Sequence, residues 1–378
     1  PAALDSMLDA RFTRDLEEDT GVAEQMLAEA GAAPDFEGAM NAVRRIHRDQ
    51  MFRIGLQILT GRAGAESAGR ALTALADATL AALAPAALAE AARQGGDLPG
   101  GQVAVVALGK AGSREMRASS DLDLMTLYDA PPEAVSSDKG WAAGVFYSRF
   151  TQRLIAALSA HTAEGGLYEV DMRLRPGAAK GPVSLRLSSI QDYYAAEADT
   201  WEFMALTRAR VVWADDPAFG AAVTAALEAI LRRPRPGVDI AADARRMRDL
   251  MARERPGRGA WDLKLAPGGQ VDAEFVAQAG QLRAAATGAP LTVSTLDALV
   301  GDPELAEAWR LQQALGQVLA AAFDEPGDPS DEPEGFRRRL AEAAGAPDFD
   351  ALTARLAEVR AAARAAFETA LPPVRDGD

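Results

Sequence analysis

The sequence predicts an α+β, mostly helical protein, with a small mixed sheet between an N-terminal helical region and a C-terminal helical bundle. Three observations predict it. Apolar residues recur at helical spacing through the first hundred residues and again after about residue 188. Between them the pattern switches to short β-branched or alternating runs. The Gly/Pro-rich "QGGDLPGG" (94–101) separates the first regime from the second. The expected boundaries are 1–98, 99–215 and 216–378.

In the first region "NAVRRIHRDQMFRIGLQIL" spaces Val43, Ile46, Phe52 and Ile54 among charges with roughly helical recurrence. It places His47 on a charged helix face. "ESAGRALTALADATLAAL" (66–83) reads as a second, Ala-rich helix that Pro85 ends or kinks. "QVAVVAL" (102–108) is a buried strand and "DLDLMTLYD" (121–129) a half-buried one. "GWAAGVFYSRFTQRLIAALSA" is an amphipathic helix, and "GLYEVDMRLRP" (166–176) a third strand that stops at Pro176. Helices are then expected over 188–197, 199–212, 217–232, 239–254, 269–285, 303–323, 334–345 and 349–370. Near residue 311, Leu311, Leu315, Val318 and Leu319 form a core stripe. The acidic, Pro-rich "DEPGDPSDEPEG" (324–335) reads as a mobile loop.

Composition removes several classes of function. The 378 residues include no cysteine, which excludes disulfides, thiolate catalysis and cysteine-bound zinc. With only His47 and His161, a site of two or three histidines is not expected. The net charge of −15 argues against nucleic acid as partner. No charge-free apolar run reaches about 18 residues, so no membrane span is expected. The lack of cysteine fits a cytoplasmic protein. The chain begins at Pro1, which reads as a piece of a longer polypeptide.

The chemistry concentrates in "GKAGSREMRASSDLDL" (109–124). Residues two apart on a strand share a face, so Asp121 and Asp123 project side by side while Leu122 and Leu124 enter a core. Adjacent carboxylates repel and raise each other's pKa, and a divalent cation removes that cost. Mg²⁺ suits the task, because it is held by one or two carboxylates together with phosphate oxygens and water. On the third strand Glu169, Asp171, Arg173 and Arg175 are expected to share one face. Placed beside Asp121 and Asp123, Asp171 completes a three-carboxylate cluster able to hold two Mg²⁺ about 4 Å apart, the arrangement for in-line displacement at phosphorus. Arg173 and Arg175 are suited to neutralising phosphate or pairing with the acids. The Gly-Ser stretch after the first strand lets backbone N–H groups approach phosphate oxygens. It is neither a Walker loop nor a dinucleotide fingerprint, since position 104 is alanine and GxGxxG is absent.

A strand, a Gly-Ser loop, an Asp-x-Asp strand and an Asp strand in this order resemble the DNA polymerase β-like nucleotidyltransferases. "GKAGSREMRASSDLDLMTLYD", "YEVDMRLRPGAAKGPVSL", "TWEFMALTRARVVWAD" and "DLKLAPGGQVDAEFVAQ" together resemble the glutamine synthetase adenylyltransferase family, as does the earlier "RRIHRDQMFRIGLQILTG". That family carries two related units, one removing AMP from glutamine synthetase by phosphorolysis and one attaching AMP from ATP to a tyrosine. "ALTRARVV" and "DLKLAPGGQVDAEFVAQ" look more like the carboxy-terminal, adenylylating unit.

The resemblance implies Asp121, Asp123 and Asp171 as Mg²⁺ ligands, with Asp171 also able to take the tyrosine proton, directly or through water. It implies ATP as substrate, cradled by Gly109, Lys110, Gly112 and Ser113, with Arg173, Arg175 and Lys264 as further nucleotide contacts. Of Arg208 and Arg210, one reaches phosphate while the other braces the fold. Trp201 and Glu202 read as structural, Asp272 and Glu274 as salt-bridge partners. Glutamine synthetase is the implied protein substrate, and nitrogen-regulatory signal proteins act on the intact enzyme. The alternatives are the deadenylylating unit and an inactive docking module.

Overall fold

A computed structural model describes residues 16, 21–177, 181–324 and 327–373. The first region is three helices, α1 (Gly21–Gly31), α2 (Phe36–Leu59) and α3 (Ala65–Gly95). Asp35 starts α2 by accepting the Gly38 amide at 2.7 Å, a side-chain cap on otherwise unpaired N–H groups. Of the two outcomes expected at Pro85, ending the helix does not occur: α3 runs ten residues past it. Proline costs one backbone hydrogen bond there, and the buried Leu80, Leu83, Ala84, Ala87 and Ala91 around it hold the helix by packing. Among the described residues only α3 is long and apolar enough to cross a membrane, and 61% of its apolar window is buried inside the protein.

The sheet follows. Strands β1 (Gln102–Ala107) and β2 (Leu122–Asp129) pair antiparallel, joined through the five-residue helix α4 (Gly109–Ser113). After α5 (Ala143–Ser159), β3 (Val170–Asp171) and β4 (Ser184–Arg186) both run parallel to β2 along its free edge. β3 takes its beginning (Asp123 opposite Asp171) and β4 its middle (Leu127 opposite Leu185). On the other side β5 (Arg210–Ala214) pairs antiparallel with β1, giving the order β3-β2-β1-β5. Only the start of β2 is half-buried; from Leu124 to Tyr128 both faces are covered.

Two sequence expectations fail here. The third strand is two residues long, because the Arg173 amide donates to Asp171 Oδ1 at 2.7 Å and turns the chain. Arg173 and Arg175 therefore do not continue a strand face. Ala178, Ala179 and Lys180 of that motif lie outside the described residues. The helix expected over 199–212 is α7 (Thr200–Leu206), preceded by α6 (Leu187–Ala196). Short backbone bonds at Thr207, Arg208 and Ala209 close α7 and release the chain into β5.

The last region is helical: α8 (Pro217–Arg232), α9 (Ile240–Glu254), α10 (Gln270–Ala286), the single turn α11 (Thr295–Ala298), α12 (Pro303–Ala322), α13 (Glu334–Ala343) and α14 (Phe349–Ala370). Asp216, Asp239 and Asp348 cap α8, α9 and α14. The stripe Leu311, Leu315, Val318 and Leu319 is buried. Within the acidic loop, Pro329–Asp331 forms a 3-10 turn with Pro329 buried, and residues 325–326 lie outside the described set.

His47 is not on an exposed face. It packs edge-on against Tyr168 at 4.9 Å, beside a buried Arg44 pinned to the Ala157, Ala160 and Gly165 carbonyls. Burial pushes its pKa down to about 4, with Arg44 adding to the shift. The folded form thus binds fewer protons than the unfolded chain once pH drops below 6.5, and stability is lost as pH falls from there toward 4. Between pH 7 and 4.5 the wild type is expected to lose about 2 kcal/mol relative to His47→Phe, by urea unfolding. Parallel losses in both proteins would refute this.

Candidate active site

Asp121 and Asp123 stand two apart at the start of β2, and β3 sets Asp171 directly across from Asp123. One carboxylate oxygen from each residue lies within 4.8 Å of the other two. Asp121 is exposed, and Asp123 and Asp171 are half-buried. Burial, and then the charges of Asp121 and Asp171, raise the Asp123 pKa to about 6 against the pull of Arg208 and Lys264. Three hard carboxylate oxygens at this spacing fit a small divalent cation, whose charge relieves that repulsion.

The Gly-Ser stretch is itself the helix α4, wedged against this cluster. Gly109 has φ +51°, and a Cβ there would overlap Asp123 Oδ2. A Cβ on Gly112 would overlap the Arg208 carbonyl. Ser113 is buried, and the helix ends at Arg114 in the left-handed region (φ 63°). Gly109→Ala is expected to push the Asp123 carboxylate aside and weaken Mn²⁺ binding about tenfold, measured by electron paramagnetic resonance. Wild-type affinity in that variant would show that the contact does not matter.

Behind α4 lies a cluster of partly buried charges. Lys110 is half-buried; burial first, then Arg117, Lys264 and Arg208 lower its pKa to about 7, against the pull of Glu274. Arg208 pairs with Glu274 of α10 at 3.0 Å, and the Gln278 amide, oriented oxygen-first, accepts from Arg208 Nε (3.1 Å) and Nη2 (2.9 Å). Burial would raise the Glu274 pKa, but Arg208, Lys110 and Lys264 hold it below the usual carboxylate range. Arg117 reaches Gln313 Oε1 of α12 at 2.9 Å. Glu115 accepts from the Thr295 amide (2.9 Å) and hydroxyl (2.8 Å). Lys110, Arg117, Arg208 and Lys264 thus stand near the carboxylates, with Glu274 balancing part of their charge, a field suited to a metal-bound polyphosphate.

The remaining candidates separate. Arg173 is exposed and chelates Asp171, with Nε 2.8 Å and Nη2 2.5 Å from Oδ2. That bond, working against burial, holds Asp171 below the usual carboxylate range. Arg175 is buried and donates to the Met172, Gly181 and Pro182 carbonyls, so it braces the turn that carries Arg173. Lys264 is exposed, close enough to act on the charges of Asp123, Lys110 and Glu274. Arg210 reaches Asp77 of α3 (2.8 and 2.9 Å) and the Ala111 carbonyl (2.9 Å), bracing α4 from below. Glu202 caps α7 in a capping box and accepts from the Tyr193 hydroxyl at 2.8 Å; Trp201 is half-buried at the same helix start.

Three converging carboxylates beside a short glycine-bearing helix sit on a mostly helical frame. The family model for glutamate-ammonia ligase adenylyltransferase matches residues 1–226. The chain belongs to that family. The bifunctional glutamine synthetase adenylyltransferase/adenylyl-removing enzyme of Caulobacter vibrioides is 51% identical over 97% of this chain and 38% of its own length. The enzyme of the same name from Brucella suis is 40% identical over 97% of the chain and 39% of its length. That from a Bradyrhizobium strain is 38% identical over 98% and 39%. The chain therefore spans well under half the length of these adenylyltransferase relatives.

The sequence pattern does not by itself gather Lys110, Glu115, Arg117, Arg208 and Glu274 into one cluster. The four-residue spacing of Gln270, Glu274 and Gln278, a polar stripe along one face of α10, is the available signal.

Proposed function

We propose that this chain is an adenylylating unit, transferring AMP from ATP to a tyrosine of glutamine synthetase in the cytoplasm. The observation that carries it is the convergence of Asp121, Asp123 and Asp171 beside Gly109. These carboxylates would hold Mg²⁺, which when bound supplies charge stabilisation at the reacting phosphate. Gly109, Gly112 and Ser113 keep α4 short and close enough for its backbone to meet the β- and γ-phosphates. Lys110, Lys264 and Arg173 supply cationic groups for the polyphosphate, and Arg208 with Glu274 fixes the field behind them.

The tyrosine oxygen bonds to the α-phosphorus as the bond to the β-phosphate oxygen breaks, and pyrophosphate leaves. Tyrosine has a pKa near 10, so its proton passes to Asp171, directly or through water. The helical regions dock the protein substrate, and nitrogen-regulatory signal proteins act on the intact polypeptide.

The relatives are named as adenylyl-removing as well as adenylylating enzymes, which favours one second reading, phosphorolysis of the AMP–tyrosine bond. Incubation of adenylylated glutamine synthetase with the chain and orthophosphate separates the two. The adenylylating reading expects no ADP; steady ADP release would replace it with the second. Failure of Mg²⁺–ATP to bind, by calorimetry, would support an inactive docking module instead.

A further inference from the structure

We propose that Arg173 is an exchangeable counter-ion of the carboxylate cluster: it holds Asp171 until a divalent cation enters, then leaves that carboxylate for the polyphosphate of the nucleotide. The inference rests on the reading of the cluster as a metal–nucleotide site.

Both Asp171 oxygens are occupied in the structure. Oδ1 accepts from the Arg173 amide (2.7 Å) and Nε (3.0 Å), and Oδ2 from Nε (2.8 Å) and Nη2 (2.5 Å). The same three-carboxylate cluster offers one oxygen from each residue within 4.8 Å. A cation seated there and the Arg173 guanidinium therefore compete for one carboxylate. Three acids this close need positive charge in either state, and Arg173 supplies it from residue 173 itself, two positions along the chain.

The side chain is built to move. It is 70% exposed, and among the described residues Asp171 is its only polar partner. Arg175, two residues on, shows the opposite design, 5% exposed and bonded to three carbonyls. An exposed ion pair is worth at most about 1 kcal/mol, so a divalent cation displaces it readily. The turn survives the exchange, because the Arg173 amide holds Asp171 Oδ1 independently of the guanidinium. A guanidinium fork matches two phosphate oxygens as it matches two carboxylate oxygens, so the freed group has a partner once a nucleotide is present.

The test is Mn²⁺ binding without nucleotide, by electron paramagnetic resonance, to the wild type, Arg173→Gln and Asp123→Asn. Removing the competitor is expected to tighten Mn²⁺ about fivefold in Arg173→Gln, the worth of an exposed pair. The same variant is expected to bind the non-hydrolysable analogue α,β-methylene-ATP with Mg²⁺ several-fold more weakly, by calorimetry, and Arg173→Lys to recover part of that loss. Unchanged or weaker Mn²⁺ binding in Arg173→Gln, with Asp123→Asn deficient, would leave the metal site standing and overturn the exchange. Unchanged Mn²⁺ binding in Asp123→Asn would remove the metal site itself, and the exchange with it. Tightened Mn²⁺ with undiminished analogue binding would overturn the second half of the move.

Discussion

Replacing Asp123 with asparagine is expected to cut AMP incorporation into glutamine synthetase by on the order of 100-fold or more, judged from the loss of single charge-stabilising groups elsewhere. Asp123 is the centre of the cluster, two residues from Asp121 and in register with Asp171. Its oxygen packs on Gly109, and its backbone carbonyl accepts from the Leu108 amide at 2.9 Å. Asparagine preserves the shape and the backbone bond, so β2 stays paired and α4 keeps its seat. What is removed is the charge that a cation needs. The check is the initial rate of AMP transfer with saturating ATP, alongside an unchanged circular dichroism spectrum. Near-normal transfer would take Asp123 out of the mechanism.

The largest expected stability effect lies elsewhere, at Asp272. It is fully buried, and accepts from Arg248 Nε (2.5 Å), Arg364 Nη1 (3.2 Å) and the Gly268 amide (2.8 Å). It thereby ties α9 and α14 to the start of α10, the helix that carries Glu274 to Arg208. Asp272→Ala leaves Arg248, itself 2% exposed, as an unpaired buried charge. Breaking one partner of such a pair typically costs 3–5 kcal/mol, and that loss is expected in urea unfolding. Glu368→Ala, which removes only an exposed partner of Arg364, is expected to cost under about 1 kcal/mol. Equal effects from the two would show that the buried triad does not hold the bundle.

The parts legible in the sequence are those with local causes. Asp-Leu-Asp-Leu at 121–124 declares its faces through the two-residue period of a strand. Most helices announce themselves through apolar recurrence and through caps such as Asp216, Asp239 and Asp348. The misses have non-local causes. β5 hides in "ARVVWA", which reads as well for a helix until β1 supplies hydrogen bonds. β3 stops early because a side chain, that of Asp171, competes for the backbone. Pro85 sits inside a helix because buried neighbours outweigh its lost bond. His47 looks solvated in the sequence, since Tyr168, which packs on it, lies far along the chain.

The central claim is that three aspartates on neighbouring strands drive AMP transfer from ATP to a tyrosine. The direct measurement incubates the chain and glutamine synthetase with Mg²⁺ and ATP labelled at either the α- or the γ-phosphate. The account predicts label on glutamine synthetase from α-labelled ATP alone, on tyrosine, and lost in Asp123→Asn. Label arriving from the γ-phosphate, or α-label undiminished in that variant, would contradict it.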